Sequence, residues 1–423
     1  MNKPFIIRGD IIFSNQDKSL NVNKNSYLVS DGYKSLGIFK RIPKKYKDYE
    51  LIDYKGKLII PGFSDLHVHA PQYQYRGTGM DVELMEWLEK YAFKEERKYG
   101  NNTYAKKAYK MFVDELKNGY TTRASIFATI HREGTRILMK LLEKSGLSTY
   151  VGLVEMDRNS PDYYRQASVE EALKDTEQWI VESQLFDNTY PIITPRFLPT
   201  CSDELMAGLS ELRKKYNLKS QSHLDENPLE IQFVMEIEKD VDHYSGGYIK
   251  FDMFGLDHDC IMAHCVHNNE EEIKLLKDRG IFVAHCPESN MNVTSGIAPI
   301  SKYLDMGIRV GLGSDVGGGS SLSLLRAARQ SIQVSKLYRR CIDMNLRSLD
   351  SKDAFYMLTR GGGEFFGHVG SLEKGYEFDC VVVDDSKIKT LLNDSPEERI
   401  ERLLYLGDES LIVAKYCKGK KII

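Results

Sequence analysis

A chain of 423 residues, 42% hydrophobic and 28% charged, is long enough for two domains or one large domain with an accessory part, and has the balance of a soluble globular enzyme. Its net charge of -3 offers no general field for nucleic acid or an anionic membrane, so neither is expected as a partner. Seven cysteines without Cys-x-x-Cys spacing exclude a zinc ribbon or a disulfide framework and read as reduced thiols of a cytoplasmic protein; neither a signal peptide nor a membrane span is expected.

Residues 1–60 read as β-rich. Short apolar runs such as Phe5-Ile6-Ile7 and Tyr27-Leu28-Val29 alternate with polar and glycine turn residues. The C-terminal end reads the same way at Cys380-Val381-Val382-Val383 and Leu411-Ile412-Val413-Ala414. The expectation is a small β-sandwich built from both chain ends, 1–60 plus 371–423, around a middle region, 61–370. In that middle region eight strand-like runs are expected: Leu58 to His69, Thr121 to Phe127, Thr149 to Met156, Pro191 to Phe197, Lys219 to His223, Cys260 to His264, Ile281 to His285 and Arg309 to Ser314. Amphipathic stretches such as Tyr104 to Asn118, Val169 to Ser183 and Glu270 to Arg279 lie between them. Strands alternating with helices predict a parallel sheet. An open doubly wound sheet competes with a closed (β/α)8 TIM barrel. The barrel is preferred because polar residues follow the C-terminal ends of many different strands, and those ends share one face only when the sheet closes.

Those strand ends carry the chemistry. Side chains two apart on a strand point the same way, so His67 and His69 can grip one divalent metal. His223 ends the fifth run and Asp315 follows the eighth. Three nitrogens and one oxygen with room for water make the donor set of a catalytic metal site. Glu226, three residues past His223, can overhang the metal as a general acid/base; alone, it would read as a helix-start carboxylate favoured by the dipole. His285 also ends a strand, and a site role and a core role stay equally open. His131, His243, His258, His267 and His368 read as surface or capping residues.

Pro61-Gly62-Phe63-x-Asp65-x-His67-x-His69, the strand-end His223 and His264, and Ser314-Asp315 resemble the amidohydrolase superfamily. Within it, His67-Val68-His69-Ala70-Pro71-Gln72-Tyr73, Glu86-Trp87-Leu88-Glu89-Lys90-Tyr91, Thr194-Pro195-Arg196-Phe197 and Ala284-His285-Cys286-Pro287 resemble the guanine deaminases, over nearly the whole chain. The resemblance implies one zinc per chain on His67, His69, His223 and Asp315. It implies catalytic roles for Glu226, His264 and Asp315, and substrate contacts from Gln72, Arg196, Phe197 and His264. It implies hydrolysis of guanine to xanthine and ammonia by a homodimer. Guanine's O6 and N7 acceptors suit a guanidinium fork, and an amide such as Gln72 suits a mixed edge. Arg196 can equally sit in an ion pair, and Phe197 in the core. Two departures are Cys265, where glycine is frequent, and a Gly317-Gly318-Gly319 loop at the pocket edge.

Three other readings stand beside this one. Another hydrolase of the same scaffold would act on a different purine, pyrimidine or triazine ring. A metal-free binding barrel should have lost its ligands, and this chain keeps them. His131-Arg132-Glu133 matches the His-x-Glu of the other zinc-deaminase fold, but no Pro-Cys-x-x-Cys follows.

Overall fold

The computed structural model describes residues 2–423. The middle of the chain forms an eight-stranded parallel barrel: β1 (Phe63–His69), β2 (Thr121–Phe127), β3 (Ser148–Gly152), β4 (Thr189–Pro191), β5 (Ser220–Leu224), β6 (Cys260–His264), β7 (Phe282–His285) and β8 (Arg309–Leu312). The ladder runs from β5 through β8 to β1 and on to β4. It closes where Ile193 bridges Ser220, with Ile193 N donating to the Lys219 carbonyl at 3.0 Å and Gln221 N to the Ile193 carbonyl at 2.9 Å.

Alternation along each strand decides what fills the barrel. Ile261 and Ala263 on β6 and Phe282 and Ala284 on β7 point inward, meeting Leu66 and Phe365. Met262 and Val283, one residue out of phase, join the larger core under the helices. The helices have the amphipathic spacing to cover that surface. Asn102–Asn118 buries Ala105, Ala108, Tyr109, Phe112, Val113 and Leu116, and starts where the Asn101 side chain accepts from Thr103 N and Tyr104 N.

Two expected runs are broken by the structure. Thr149 to Met156 divides into β3 and a separate piece, Val154–Glu155. Pro191 to Phe197 divides into the end of β4 and Thr194–Pro195, which pairs with Val154–Glu155 instead of the barrel. Pro191 and Pro195 withhold N–H groups within the second run, whereas the first run contains no proline and divides at Leu153.

The strands of both chain ends form one seven-stranded sheet. Strands Phe5–Ser14, Leu20–Ser30, Ser35–Phe39 and Glu50–Pro61 come from one end, and Cys380–Val383, Ile412–Cys417 and Lys420–Lys421 from the other. Cys380–Val383 runs antiparallel to Leu58–Pro61. Ile59, Cys380 and Val382 face the sheet's own core, whereas Leu58, Ile60, Val381 and Val383 join the barrel's. The expected first run, Leu58 to His69, is therefore two strands of two sheets joined at Gly62. A Cβ there would lie 2.3 Å from the Thr122 hydroxyl, so only glycine lets the chain pass.

The sheet is fastened to the base of the barrel by buried polar groups. Arg123 of β2 donates to Asp379 through Nε at 2.5 Å and Nη2 at 3.0 Å, to Glu377 at 2.7 Å and to Ser148 at 3.0 Å. The fully buried Lys415 ammonium donates to the carbonyls of Lys117, Gly119 and Thr121, at the end of the helix before β2. No helix among the described residues is long and apolar enough to cross a membrane.

Candidate metal centre and active site

The C-terminal ends of β1, β5, β6 and β8 bring His67, His69, His223, His264 and Asp315 together at the mouth of the barrel. His67 Nε2 lies 3.3 Å from Asp315 Oδ1, His69 Nε2 3.7 Å from the same oxygen, and His69 Nε2 3.2 Å from His223 Nε2. Ligands held about 2.0–2.1 Å from a tetrahedral zinc lie roughly 3.3 Å apart; these three pairs are near that spacing, and His67, His69 and Asp315 lie close enough together to hold one ion. Both ring nitrogens of His67 and Nδ1 of His69 are buried with no hydrogen-bond partner among the described residues. Of these, His67 Nε2 is the one that faces the other donors, and a buried orphan there is expected where an ion completes the set.

The surroundings prepare each donor. Burial, reinforced by the neighbouring rings, pushes His69 and His223 well below the usual imidazole pKa and keeps them neutral, as ligation requires. His223 Nδ1–H donates to the Arg196 carbonyl at 2.6 Å, which leaves Nε2 free for the metal side. Burial works against the charge on Asp315, but His67 and His264 beside it outweigh burial and hold the carboxyl down at about 2. Asp65 ties the site to the sheet: Ser314 donates to it through N at 3.0 Å and Oγ at 2.5 Å, and His67 through N at 3.2 Å. Cys286 also comes within reach of His264 and Asp315, but burial and nearby carboxylates raise its thiol well above its usual range, which makes it a poor ligand.

Glu226 and His264 face each other across the mouth, Glu226 Oε2 3.3 Å from His264 Nε2. His264 Nδ1 bonds Asn290 Oδ1 at 2.8 Å, and Nε2 also faces Asp315 Oδ2 at 3.8 Å. Glu226 precedes the N-cap Asn227 of helix Pro228–Ile237, so it lies outside the first helical turn. Burial first, and then repulsion from Asp315, raise its carboxyl well above the usual range, against a bond from Ser295 Oγ at 3.2 Å. Glu230 holds the loop from below, accepting from Glu226 N at 3.1 Å and from the Tyr244 hydroxyl at 2.7 Å. Asp225, His264, Cys265 and Asp315 all have positive φ, 45° to 73°, a concentration of backbone strain at the strand ends that carry the chemistry.

A cavity beside these groups is lined by Gln72, Arg196 and Phe197, together with Trp87, Leu88 and Val293. Arg196 is in an ion pair and at the cavity at once. It is bidentate to Glu96, at 2.6 and 3.1 Å, and both side chains are buried. Glu96 also accepts from Gln72 Nε2 at 2.8 Å and from the Tyr164 hydroxyl at 2.8 Å. Gln72 Oε1 accepts from Gly317 N at 3.1 Å, so its amide orientation is set from both ends. Phe197 belongs to an apolar cluster with Leu84, Trp87, Leu88 and Phe93, and walls the cavity as part of it. The glycine loop is tightly packed: a Cβ on Gly318 would lie 2.4 Å from Ser289 Oγ, and one on Gly317 3.0 Å from the Gln72 carbonyl.

Sequence reasoning missed Glu96, Asn290 and Glu230, which hold other site residues in place. Of these only Glu230 left a trace, as the acid three residues past Asn227 in a capping box. His285 is buried beside this cluster with both nitrogens unpartnered among the described residues, its pKa pulled down to about 3 by burial and then by His264. His243 caps a helix, accepting from Gly246 N at 3.1 Å, and His131 occupies the N-cap position of Arg132–Ser145.

A closed parallel barrel with imidazoles and a carboxylate converging at its C-terminal mouth defines a metal-dependent hydrolase. More narrowly, the chain belongs to the amidohydrolase family, which it matches over residues 58–419. It is 36% identical to the guanine deaminase of Dictyostelium discoideum over 88% of this chain and 84% of that one. It is 35% identical to the guanine deaminase of Homo sapiens, over 87% and 83%. Among solved structures, guanine deaminase from C. acetobutylicum with guanine bound in the active site superposes with a TM-score of 0.96, at 43% identity over all of both chains.

Proposed function

We propose that this chain hydrolyses guanine to xanthine and ammonia, with one zinc per chain held by His67, His69, His223 and Asp315. The observation that carries the reading is the junction of two sets of groups at one cavity: the donor shell beside Glu226 and His264, and the Arg196–Glu96–Gln72 cluster opposite. The relatives of similar length that act on guanine support it. The barrel, residues 61–370, is the catalytic part of this reading, and residues 1–60 with 371–423 are its composite β-rich support.

Zinc, when bound, supplies a Lewis acid that lowers the pKa of a water toward neutrality. The chain's residues do the rest. Asp315 and His264 orient the water over C2 of the base. Glu226, which faces His264 across the mouth, accepts the water proton and delivers it to ring nitrogen N3. That protonation makes C2 electrophilic, and the water oxygen adds there. The second proton of the former water then passes through Glu226 to the exocyclic amine, C2=O forms, and the C2–N bond breaks to release ammonia. Gln72 and Arg196 hold the opposite edge of the ring, and Phe197 packs on its face. Because Glu96 already neutralises Arg196, the recognition arm is built for a neutral ring and not for an anion.

Ammonia release across a panel of nucleobases tests the substrate. Guanine is turned over and adenine is not, because adenine presents an amine to donors that expect O6 and leaves them unpaired. Faster turnover of adenine or cytosine overturns the pocket assignment and leaves a related ring hydrolase in its place. The reading extends to a cytoplasmic homodimer. Seven unpaired cysteines among the described residues support a reducing setting, the family resemblance supports the dimer, and sedimentation checks it.

A further inference from the structure

The chain has two tryptophans, and their indole nitrogens differ. Trp179 lies in the main core and donates from Nε1 to the Met139 sulfur at 3.2 Å. Trp87, only 4% exposed, has a buried Nε1 with no hydrogen-bond partner among the described residues. Its ring lines the same cavity as Glu226, His264 and Arg196. It sits on the short helix Leu84–Trp87, whose Leu84 and following Leu88 close that cavity with apolar surface. The Tyr75 ring lies 5.7 Å away, and its hydroxyl oxygen is another buried atom without a partner.

A buried donor left unmade costs stability, about as much as the bond would return when a partner arrives. An indole donates only, so whatever satisfies Trp87 must bring an acceptor. The donors of Arg196 and Gln72 nearest Glu96 are already engaged, whereas the Trp87 N–H is uncommitted in the free enzyme. We infer that Trp87 is a further substrate-binding residue, its indole N–H donating to an acceptor of the bound base, so that the segment over the cavity reads the ring and does not merely cover it. This rests on the reading of the cavity as a guanine site. It also gives that segment a part in selectivity, because a base presenting an N–H at this point would leave two donors opposed.

Trp87→Phe keeps an aromatic ring in place and removes the donor. For guanine, kcat/KM falls roughly 5- to 100-fold, the worth of a hydrogen bond to an otherwise unpaired buried donor, mostly through KM, with zinc content unchanged. A second measurement separates recognition from packing. In 15N-indole-labelled Glu226→Gln enzyme, slowed by roughly 10²–10⁴-fold and kept saturated with guanine, the indole N–H signal that Trp87→Phe abolishes moves downfield on adding guanine, and the Trp179 signal stays. A stationary Trp87 signal, or kcat/KM within about twofold of the parent, overturns the proposal. If the parent enzyme releases no ammonia from guanine, the substrate reading itself falls and takes this inference with it. If the parent is active and only the Trp87 responses are missing, the substrate reading stands alone.

Discussion

The barrel carries a buried arginine–carboxylate pair at each end, and the two pairs live in different company. At the base, Arg123 meets Asp379, Glu377 and Ser148, and the nearby Lys415 spends its three protons on three carbonyls. At the mouth, Arg196 and Glu96 are as well paired, but around them lie atoms of His67, His69, Trp87 and Tyr75 without a partner among the described residues. Polar groups that finish their bonds inside the protein hold it together; groups left open in a dry site wait for an ion or a ring. The comparison predicts that damage at the mouth appears in binding and turnover, and damage at the base in stability.

The largest effect comes from the open end. His67→Ala or Asp315→Ala loses both bound zinc and activity, checked by metal analysis and ammonia release; full activity in thoroughly metal-stripped protein would sink the metal assignment. Next, Glu226→Gln retains zinc and guanine binding, while kcat falls by roughly 10²–10⁴-fold, the usual worth of positioned general acid/base catalysis. Turnover within a few-fold of the parent returns Glu226 to a role in the loop before its helix.

At the base the expectation reverses. Arg123→Met strands Asp379 without its partner and lowers stability by about 3–5 kcal/mol in denaturant titration, yet turnover per folded molecule stays near the parent's. A selective loss of kcat in that variant would erase the distinction between the two ends. The last expectation is a pH dependence, spread over several pH units. Burial pulls Lys415 from 10.5 to about 7, so between those values the unfolded chain binds more protons than the folded one. Stability from this residue therefore rises with pH from about 7 to 10.5 and is flat below. Lys415→Met removes that slope, read as the difference between the two proteins' unfolding midpoints across the range.

The convergence at the barrel mouth was legible because each member sits at or just past the end of a short apolar run, where strand periodicity alone fixes the face: His67, His69, His223, His264 and Asp315 all announce themselves locally. That Glu226 lies beside them could be expected from its distance from His223. Glu96 was not. It lies in a helical stretch among Lys94, Glu95 and Arg97, ordinary surface composition, and its role exists only because Arg196, a hundred residues on, folds against it. Trp87 stood inside a motif but carried no sign of an unmet donor, because an orphan is defined by the absence of neighbours that only the fold supplies. The barrel itself followed from alternation, but the division of its third and fourth strands did not follow from local composition; only the fourth contains prolines that withhold N–H groups.

The seven-stranded sheet also sets a timetable for synthesis. Its inner strand Glu50–Pro61 pairs with Cys380–Val383, which the ribosome reaches some 15–60 s later at about 5–20 residues per second. Through that interval Leu58, Ile59 and Ile60 present an apolar, unpaired edge to the cell, and the strand that carries His67 and His69 hangs from it. The nascent chain therefore has the strand of His67 and His69 before it has the support to aim it.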